Sequence, residues 1–282
     1  MPASASSENA APRPSSPSVL EEPEAFRDTA GPTAPPGSPR GEAIRVRVEQ
    51  VGQEPRRALR QQFSAGARQV QSIRGETEIT VPSTKRSLTL EGRRTARILD
   101  VTSDGTARFS VEVGPLTLTT TEARPEDHGE ATDSTLAQAS SSGEADICGF
   151  WLDYRVDVDA AKPGALALTA KALAQAADPL PPEEVGSGAV WVAIRMLEDG
   201  GARVEQTTTY ELVEANESAY RARVVRIERD VDGHEPGAES RGEVFHQMDW
   251  LFPDMDLVQR SVARTPDGER VEIRSRIQLR TQ

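Results

Sequence analysis

The sequence predicts a mainly β fold built of antiparallel strands, and three observations indicate it. In the run 270–280, hydrophobic or small residues alternate strictly with arginines and other polar residues. The same period of two recurs at 44–48 and at 152–158. Asp104-Gly105 stands between two such runs, and Asp-Gly at that place is typical of a hairpin turn. Since successive side chains of a strand point to opposite faces, the pattern predicts sheets with one buried and one solvated face.

Further strands follow from similar turns. Asp199-Gly200-Gly201 separates the run 190–194 from the run 207–213, and Pro266-Asp267-Gly268 precedes the last strand. Because short turns place sequential strands side by side, we expect curved antiparallel sheets arranged as a meander, a half-barrel or a sandwich.

The two strand-rich halves of the chain resemble each other. A run, a turn and a second run at 91–113 correspond to those at 205–224, with an offset of 114 residues between Glu91 and Glu205. The resemblance hints at a duplicated hairpin unit, although β-hairpins resemble one another by pattern alone.

One helix is predicted, at 165–177, where Ala and Leu predominate and both are strong helix formers. Leu166, Ala170 and Leu173 lie on one face of this helix. Asp178-Pro179 ends it, because the residue before a proline disfavours helical backbone. A short helix with an apolar stripe is expected to bridge the two halves by packing on their sheets.

Composition divides the chain. Residues 1–42 are mainly Pro, Ser, Ala, Gly and Glu, too polar to form a core, so we predict a disordered tether. The folded part is then an N-terminal β half at 43–160, a helix and connector at 161–179, and a C-terminal β half at 180–282. Within the first half, 122–146 loses the period of two and holds seven acids against one base, which predicts a mobile acidic loop.

The overall composition excludes several classes of protein. A formal net charge of −12 argues against non-specific nucleic-acid binding, which needs clustered basic residues. No apolar stretch approaches the roughly 20 residues that cross a bilayer, and the first residues do not have the pattern of a secretion signal. Cys148 is the single cysteine, so neither an internal disulfide nor a thiolate metal cluster is expected. The sequence therefore predicts a folded domain without a membrane span.

The segment 180–191 reads LPPEEVGSGAVW and precedes a strand, a turn and the sequence QTTTYELV. It resembles a family of uncharacterised bacterial proteins, mostly predicted envelope lipoproteins, in which Leu-Pro, Val-Gly, Gly-Ala and Trp stand at this spacing before a β-meander. The matching residues here are Leu180, Pro181, Val185, Gly186, Gly188, Ala189 and Trp191, with Thr207, Thr209 and Tyr210 downstream.

This resemblance covers 180–282 and implies an exported, β-rich envelope domain of unknown function. It supplies no catalytic residues. The chain departs from the family because its start has neither an export signal nor a cysteine for lipid attachment. We therefore expect either an exported protein whose signal is absent from this sequence, with a possible lipid tether, or a cytoplasmic relative.

No cluster of residues in the sequence points to a catalytic or metal site. The three histidines, His128, His234 and His246, do not have metal-ligand spacing, and solvent exposure is their expected state. Asp230 begins a possible calcium loop, but Arg241 occupies the twelfth position, where a bidentate Glu is required. We therefore expect no catalytic residue, no metal and no cofactor.

Three hypotheses on function remain. The leading one is a non-enzymatic binding or scaffolding module of the bacterial cell envelope, with an unknown protein partner, which the tether and the acidic surface favour. The alternative is a carrier of an apolar, lipid-like ligand, with Trp191, Tyr210 and Trp250 as the wall of a concave site. Core packing is the more expected role of these aromatic residues, because a chain with so few aromatics usually places them inside. An enzyme is the least favoured hypothesis. It rests only on three acids close to Trp250 in sequence: Asp249, Asp254 and Asp256.

Overall fold

Antiparallel strands make up most of the chain. The structure, a computed structural model, describes residues 44–81, 84–123, 131–135, 138–159, 169, 173, 178–199, 202–231, 238–264 and 270–282. The strands all belong to one compact unit, Ser38–Gln282. They are β1 (Arg45–Gln50), β2 (Arg57–Ala58), β3 (Arg68–Val81), β4 (Thr84–Val101), β5 (Ala107–Val113), β6 (Thr117–Ala123), β7 (Ala131–Thr135), β8 (Gln138–Ala145), β9 (Trp151–Asp159), β10 (Glu184–Val185), β11 (Val190–Asp199), β12 (Ala202–Ala215), β13 (Ala219–Asp230), β14 (Glu239–Gln247), β15 (Asp254–Arg264) and β16 (Arg270–Thr281).

Fourteen of these strands form one large curved sheet that is not closed. Its order is β1-β11-β12-β13-β14-β15-β16-β3-β4-β5-β8-β9, and the hairpin β6-β7 branches from β4. β2 and β10 form a separate two-stranded sheet. Every pairing in the described chain is antiparallel. The prediction of a mainly antiparallel β fold is confirmed.

Alternation along the strands produces the core. In β5 the burial pattern alternates strictly between buried and more exposed residues, with Phe109 and Val111 fully buried. Equivalent positions of the neighbouring strands face the same side of the sheet and form two hydrophobic clusters. One contains Trp191, Tyr210 and Tyr220, and the other contains Phe109 and Phe252. The buried face of the curved sheet, here called the concave face, is therefore filled by side chains.

Two predictions about the middle of the chain meet different outcomes. The prediction that 122–146 is an acidic loop is wrong over its second half, since β7 and β8 lie there. The inward residues of β8 include Ala139, Ser141 and Ala145, whose small size hides the period of two in the sequence. The helix predicted at 165–177 lies mostly outside the described residues; Thr169 and Leu173, which are described, are helical. The tether at 1–42 also lies outside the described residues.

Twelve strands of the large sheet form two units of six with the same pairing scheme, and the hairpin β6-β7 lies outside both units. The first, here the N-terminal module, is β16-β3-β4-β5-β8-β9, and the second, the C-terminal module, is β1-β11-β12-β13-β14-β15. In each module a strand from the opposite end of the chain pairs with the first strand of a five-stranded meander. Each half of the chain therefore contributes a strand to the other half, which joins them in one folded unit.

One irregularity of the backbone repeats between the modules. A register shift separates Ile98 from Asp100 in the pairing of β4 with β5, and another separates Leu212 from Glu214 in the pairing of β12 with β13. The two shifts are 114 residues apart, since 212 minus 98 is 114. This is the offset at which the hairpins resemble each other in sequence. A coincidence of bulges supports a repeated unit more strongly than alternation does, because each bulge needs its own local conformation.

A glycine turn before each meander repeats as well. The Gly66 amide donates to the Ile98 carbonyl and the Gly188 amide to the Leu212 carbonyl, both at 2.8 Å. Gly66 has φ of +82° and Gly188 has φ of +77°, a conformation that L side chains rarely adopt. The repeated turn sets where the meander of each module begins.

Candidate functional site

Four large side chains fill the concave face of the C-terminal module. Trp191 and Tyr210 are register partners and stack, with ring centroids 4.9 Å apart and an interplanar angle of 4°. Tyr220 and His246 are register partners in the next strands, with ring centroids 5.5 Å apart. All four are at most 2 % exposed. They form a closed aromatic layer rather than an open surface.

A buried carboxylate ties this layer to the segment 178–180. Asp178, 2 % exposed, accepts hydrogen bonds from the Tyr210 hydroxyl and, at 2.8 Å, from the Tyr220 hydroxyl. The Trp191 indole N–H donates to the Pro179 carbonyl at 3.3 Å. Burial, followed by the negative charge of Asp178, raises the pKa of both tyrosines well above the usual value. The tyrosines therefore stay protonated and hold the segment by donation.

His246 completes this polar network and is not exposed. Its Nε2 lies 3.0 Å from the Trp250 carbonyl oxygen, which can only accept, so Nε2 carries the proton. Its Nδ1 lies 3.4 Å from the Tyr220 hydroxyl. Burial lowers the pKa of His246, and the neighbouring Asp178 opposes that effect. The prediction of solvent exposure is therefore wrong for His246, while His128 and His234 lie outside the described residues.

The N-terminal module is filled by a different segment, 251–253. The Gln69 side-chain amide donates to the Phe252 carbonyl at 2.7 Å and accepts from the Phe252 amide at 3.0 Å. Gln71 donates to the Pro253 carbonyl at 3.0 Å. Two glutamines thus bind the backbone of this segment, and the Phe252 ring, fully buried, packs 5.8 Å from the Trp151 ring.

Arg94 is a buried cation within the same module. Its Nε donates to the Gln71 Oε1 at 2.7 Å, and its Nη1 donates to the Leu173 carbonyl at 2.8 Å. The guanidinium carbon lies 3.6 Å from the centre of the Phe252 ring, a cation–π contact. Burial lowers the pKa of Arg94 to about 9, against a smaller opposing effect of Asp254. Arg94 therefore remains charged at neutral pH and links the sheet to residue 173.

The three residues predicted to form a ligand wall lie in two places. Trp191 and Tyr210 are together, but they are covered by 178–180. Trp250 is half-buried at the turn between β14 and β15, where it packs edge-on to Phe245 at 6.1 Å. Their role as a ligand wall stays a prediction.

The three acids close to Trp250 in sequence do not form one cluster in the fold. Asp254 accepts from the Thr281 amide at 2.7 Å and from its hydroxyl at 2.8 Å, which fixes the end of β16. Asp256 binds Arg276 at 2.7 Å on the outer face, and this hydrogen bonding lowers the pKa of Asp256. Asp249 is exposed. Among the described residues, no group of three or more His, Cys, Asp or Glu side chains could hold a metal ion.

The two best-defined cavities in the described part of the protein are small. The larger of them has a volume of about 90 Å³ and lies between β3, β4 and the turn that carries Trp250. The second, of about 10 Å³, lies beside Tyr210, Arg195 and Arg226 and has room for about one water. A lipid-like ligand needs a site on the order of 300 Å³ or more, so neither cavity holds one as it stands.

Sequence reasoning missed the residues that close the concave faces. Asp178 was recognised only as the end of a helix, and nothing local distinguishes Arg94 from the other arginines of alternating strands. The one available signal was the polar character of Gln69 and Gln71, which occupy alternate positions of β3 that an apolar face would normally fill.

Comparisons with known proteins do not identify a family. No family model matches the chain, and a search of curated proteins gives no match. One solved structure, OccK7 (OpdD) of Pseudomonas aeruginosa, aligns over 78 % of this chain and 99 % of that chain, at 8 % identity and a TM-score of 0.25. Among the helical residues that the structure describes, none belongs to a helix long and apolar enough to cross a membrane. The resemblance of 180–282 to envelope lipoproteins stays a prediction.

Proposed function

We propose that this chain is a non-enzymatic binding or scaffolding module of the bacterial cell envelope, and that it binds an acidic protein partner through the outer face of β15 and β16. The envelope location rests on the sequence resemblance of 180–282. The use of the outer face rests on the filling of both concave faces by the chain's own segments, 178–180 and 251–253.

One observation carries the choice of surface. Val258 and Val262 are 43 % and 54 % exposed on the outer face of β15. Exposed arginines surround them on the same two strands, and this set is named the arginine face: Arg260, Arg270, Arg274, Arg276 and Arg280. Guanidinium groups bind carboxylates bidentately, and exposed apolar side chains among charges are typical of protein contact surfaces. Four of these arginines already pair with Asp256 or Glu272 on the same two strands. Arginines still outnumber acids on these strands, so an acidic protein surface is the partner that this face fits.

A site-directed crosslinking experiment tests the proposal. A photoreactive amino acid at Val262 in the full chain, expressed in a bacterial host and irradiated, is expected to give one discrete adduct with an acidic protein. Reversing two charges with Arg274→Glu and Arg276→Glu should remove that adduct, and added salt should weaken it. A photoreactive residue at Leu99, exposed elsewhere on the sheet, is the matched control. No discrete adduct, or one that the charge reversal leaves unchanged, contradicts the proposed surface.

Two further measurements test the other parts of the proposal. Cell fractionation should find the full-length protein with the envelope, whereas recovery in the cytosol favours the cytoplasmic alternative. Saturable turnover of an ester, phosphate or glycoside that depends on one acid or on His246 would overturn the non-enzymatic role.

The carrier of an apolar ligand is the second candidate, because Trp250, one of its three predicted wall residues, lines the cavity of about 90 Å³. Since that cavity is too small for an acyl chain, lipid binding needs 178–180 or 251–253 to leave the concave face. Mass spectrometry of the purified protein for bound lipid, with titration of a fluorescent fatty acid, tests this candidate. The absence of both signals rejects it.

A further inference from the structure

The cavity of about 90 Å³ lies at positions where the inward side chains of the two modules differ. Its inner wall is formed by Gln69, Ala96 and Ile98 of β3 and β4, all buried. Trp250 lines the opposite side, and two exposed charged residues, Arg68 and Asp249, also line the cavity. The site therefore combines a small apolar interior with polar groups next to solvent.

The repeat shows which group would fill this space. Gln69 and Ala96 are register partners in the N-terminal module, as Trp191 and Tyr210 are in the C-terminal module. Ala96 and Tyr210 each stand two residues before the bulge, at the offset of 114 residues that relates β4 to β12. In the C-terminal module a phenol ring occupies this position, whereas in the N-terminal module a methyl group and a cavity occupy it.

We propose that this cavity is a binding site for one aromatic ring that carries a hydroxyl group, such as a phenol. The ring takes the place at Ala96 that the Tyr210 ring takes on Trp191, and Trp250 provides an aromatic wall on the other side. Asp249 accepts a hydrogen bond from the hydroxyl or Arg68 donates one to it. This site is separate from the arginine face, so its failure leaves the proposed function unaffected.

Two sources supply such a ring: a free phenol and a tyrosine side chain of a polypeptide. p-Cresol stands for the first and N-acetyltyrosinamide for the second. Both are titrated into the full-length protein and observed by saturation-transfer NMR. We expect saturable binding of at least one, with a dissociation constant on the order of 1 mM, because so small a ligand buries few atoms. Tighter binding of N-acetyltyrosinamide assigns the cavity to a polypeptide, and tighter binding of p-cresol assigns it to a free phenol.

Variants localise the binding. Ala96→Tyr places the missing ring on the protein itself and should weaken p-cresol binding at least about tenfold, which is about 1.4 kcal/mol. Ala58→Tyr adds the same ring at an exposed position and should change nothing. If Ala96→Tyr does not fold, Ala96→Leu gives the same test with a smaller side chain. Cyclohexanol, of similar size but not planar, should bind more weakly than p-cresol.

Three results would overturn the site: no saturable binding of either ligand, unchanged binding in a folded Ala96→Tyr or Ala96→Leu variant, or equal binding of cyclohexanol. A rise in melting temperature for Ala96→Leu, together with no ligand binding by the parent protein, identifies the cavity as a packing gap only.

Discussion

The two modules share a backbone and differ in what fills them. The pairing scheme, one bulge and one glycine turn correspond between them. At four corresponding inward positions, however, the C-terminal module has Trp191, Tyr210, Tyr220 and His246, and the N-terminal module has Gln69, Ala96, Ala107 and Ala145. At these four positions one module therefore has rings and the other has methyl groups and an amide. A repeated frame therefore does not imply a repeated interior.

The difference shows how an open sheet covers its apolar concave face. A sheet of this size must cover its apolar face, and in both modules a proline-containing segment of the chain does so. Pro179 is bound by the indole of Trp191, and Pro253 is bound by the amide of Gln71. The module with large inward side chains is covered by the narrow segment 178–180. The module with small ones takes in Phe252 and still retains a cavity.

The largest effect should come from removing one ring of the C-terminal module. Trp191→Ala deletes a fully buried indole and should lower the free energy of unfolding by about 3–5 kcal/mol. Gln69→Ala, at the corresponding position, loses hydrogen bonds to the Phe252 backbone and should cost about 1–3 kcal/mol. Urea unfolding at equilibrium measures both.

The exposed Val262 supplies the control, because Val262→Ala should change stability by less than about 0.5 kcal/mol. Equal losses for Trp191→Ala and Gln69→Ala would mean that the two modules depend on their inward residues alike. The interior filled by aromatic rings and the interior filled by the segment 251–253 would then not differ in how their inward residues contribute to the free energy of unfolding.

The dependence of stability on pH should arise in the C-terminal module. The pKa of His246 is lowered on folding, so the unfolded chain binds a proton that the folded protein does not. This contribution to stability is complete above the unfolded pKa of about 6.5 and is lost as pH falls below it, at no more than about 1.4 kcal/mol per pH unit. Urea unfolding between about pH 8 and about pH 5 measures the slope.

His246→Gln should flatten this slope while leaving His128 and His234 in place. The tyrosines affect stability at alkaline pH. Since folding raises the pKa of Tyr210 and Tyr220, stability falls as pH rises above the unfolded pKa of about 10. An unchanged acid slope in His246→Gln would assign the dependence to carboxylates instead.

The sequence predicted the frame of the protein better than its interior. Period-two runs and Asp-Gly turns predicted β4, β5, β9 and β16, because a strand with one wet face leaves alternation in the sequence. The repeat was also visible at the correct offset. β8 was missed because Ala, Ser and Gly face inward there, and small residues carry little hydrophobic contrast.

The site could not be predicted from local pattern because its residues meet only through the fold. Asp178 contacts Tyr210 and Tyr220 across 32 and 42 residues of sequence, respectively. Gln69 reaches Phe252 across 183 residues. Periodicity reports which face a side chain takes on its own strand, but it does not report which distant segment covers that face.

A test of the shared frame uses the two glycines at the start of the meanders. Gly66→Ala and Gly188→Ala each force a Cβ into a conformation with positive φ, although both have open space around the added atom. Each should cost about 1–2 kcal/mol from backbone strain alone, and the two losses should agree within about 0.5 kcal/mol. Gly105→Ala, where the Cβ would meet the Ile147 side chain at 2.6 Å, should cost more. Thermal unfolding of the three variants provides the comparison, and clearly unequal losses at Gly66 and Gly188 would show that the repeated turns are not energetically equivalent.

The smallest effect should come from the outer face of the sheet. The difference between the two modules concerns the concave face and not this outer face. Asp256 accepts from Arg276 at 2.8 and 2.7 Å in a bidentate pair, yet the Arg276 side chain is 51 % exposed. Water and salt screen such a pair, so Asp256→Asn should cost only about 0.2–1 kcal/mol, and less at high salt. Chemical unfolding at low and high ionic strength measures this loss. A cost comparable to that of Trp191→Ala would mean that the outer face stabilises the sheet as much as its interior does, and the arginines would then have a structural role that competes with partner binding.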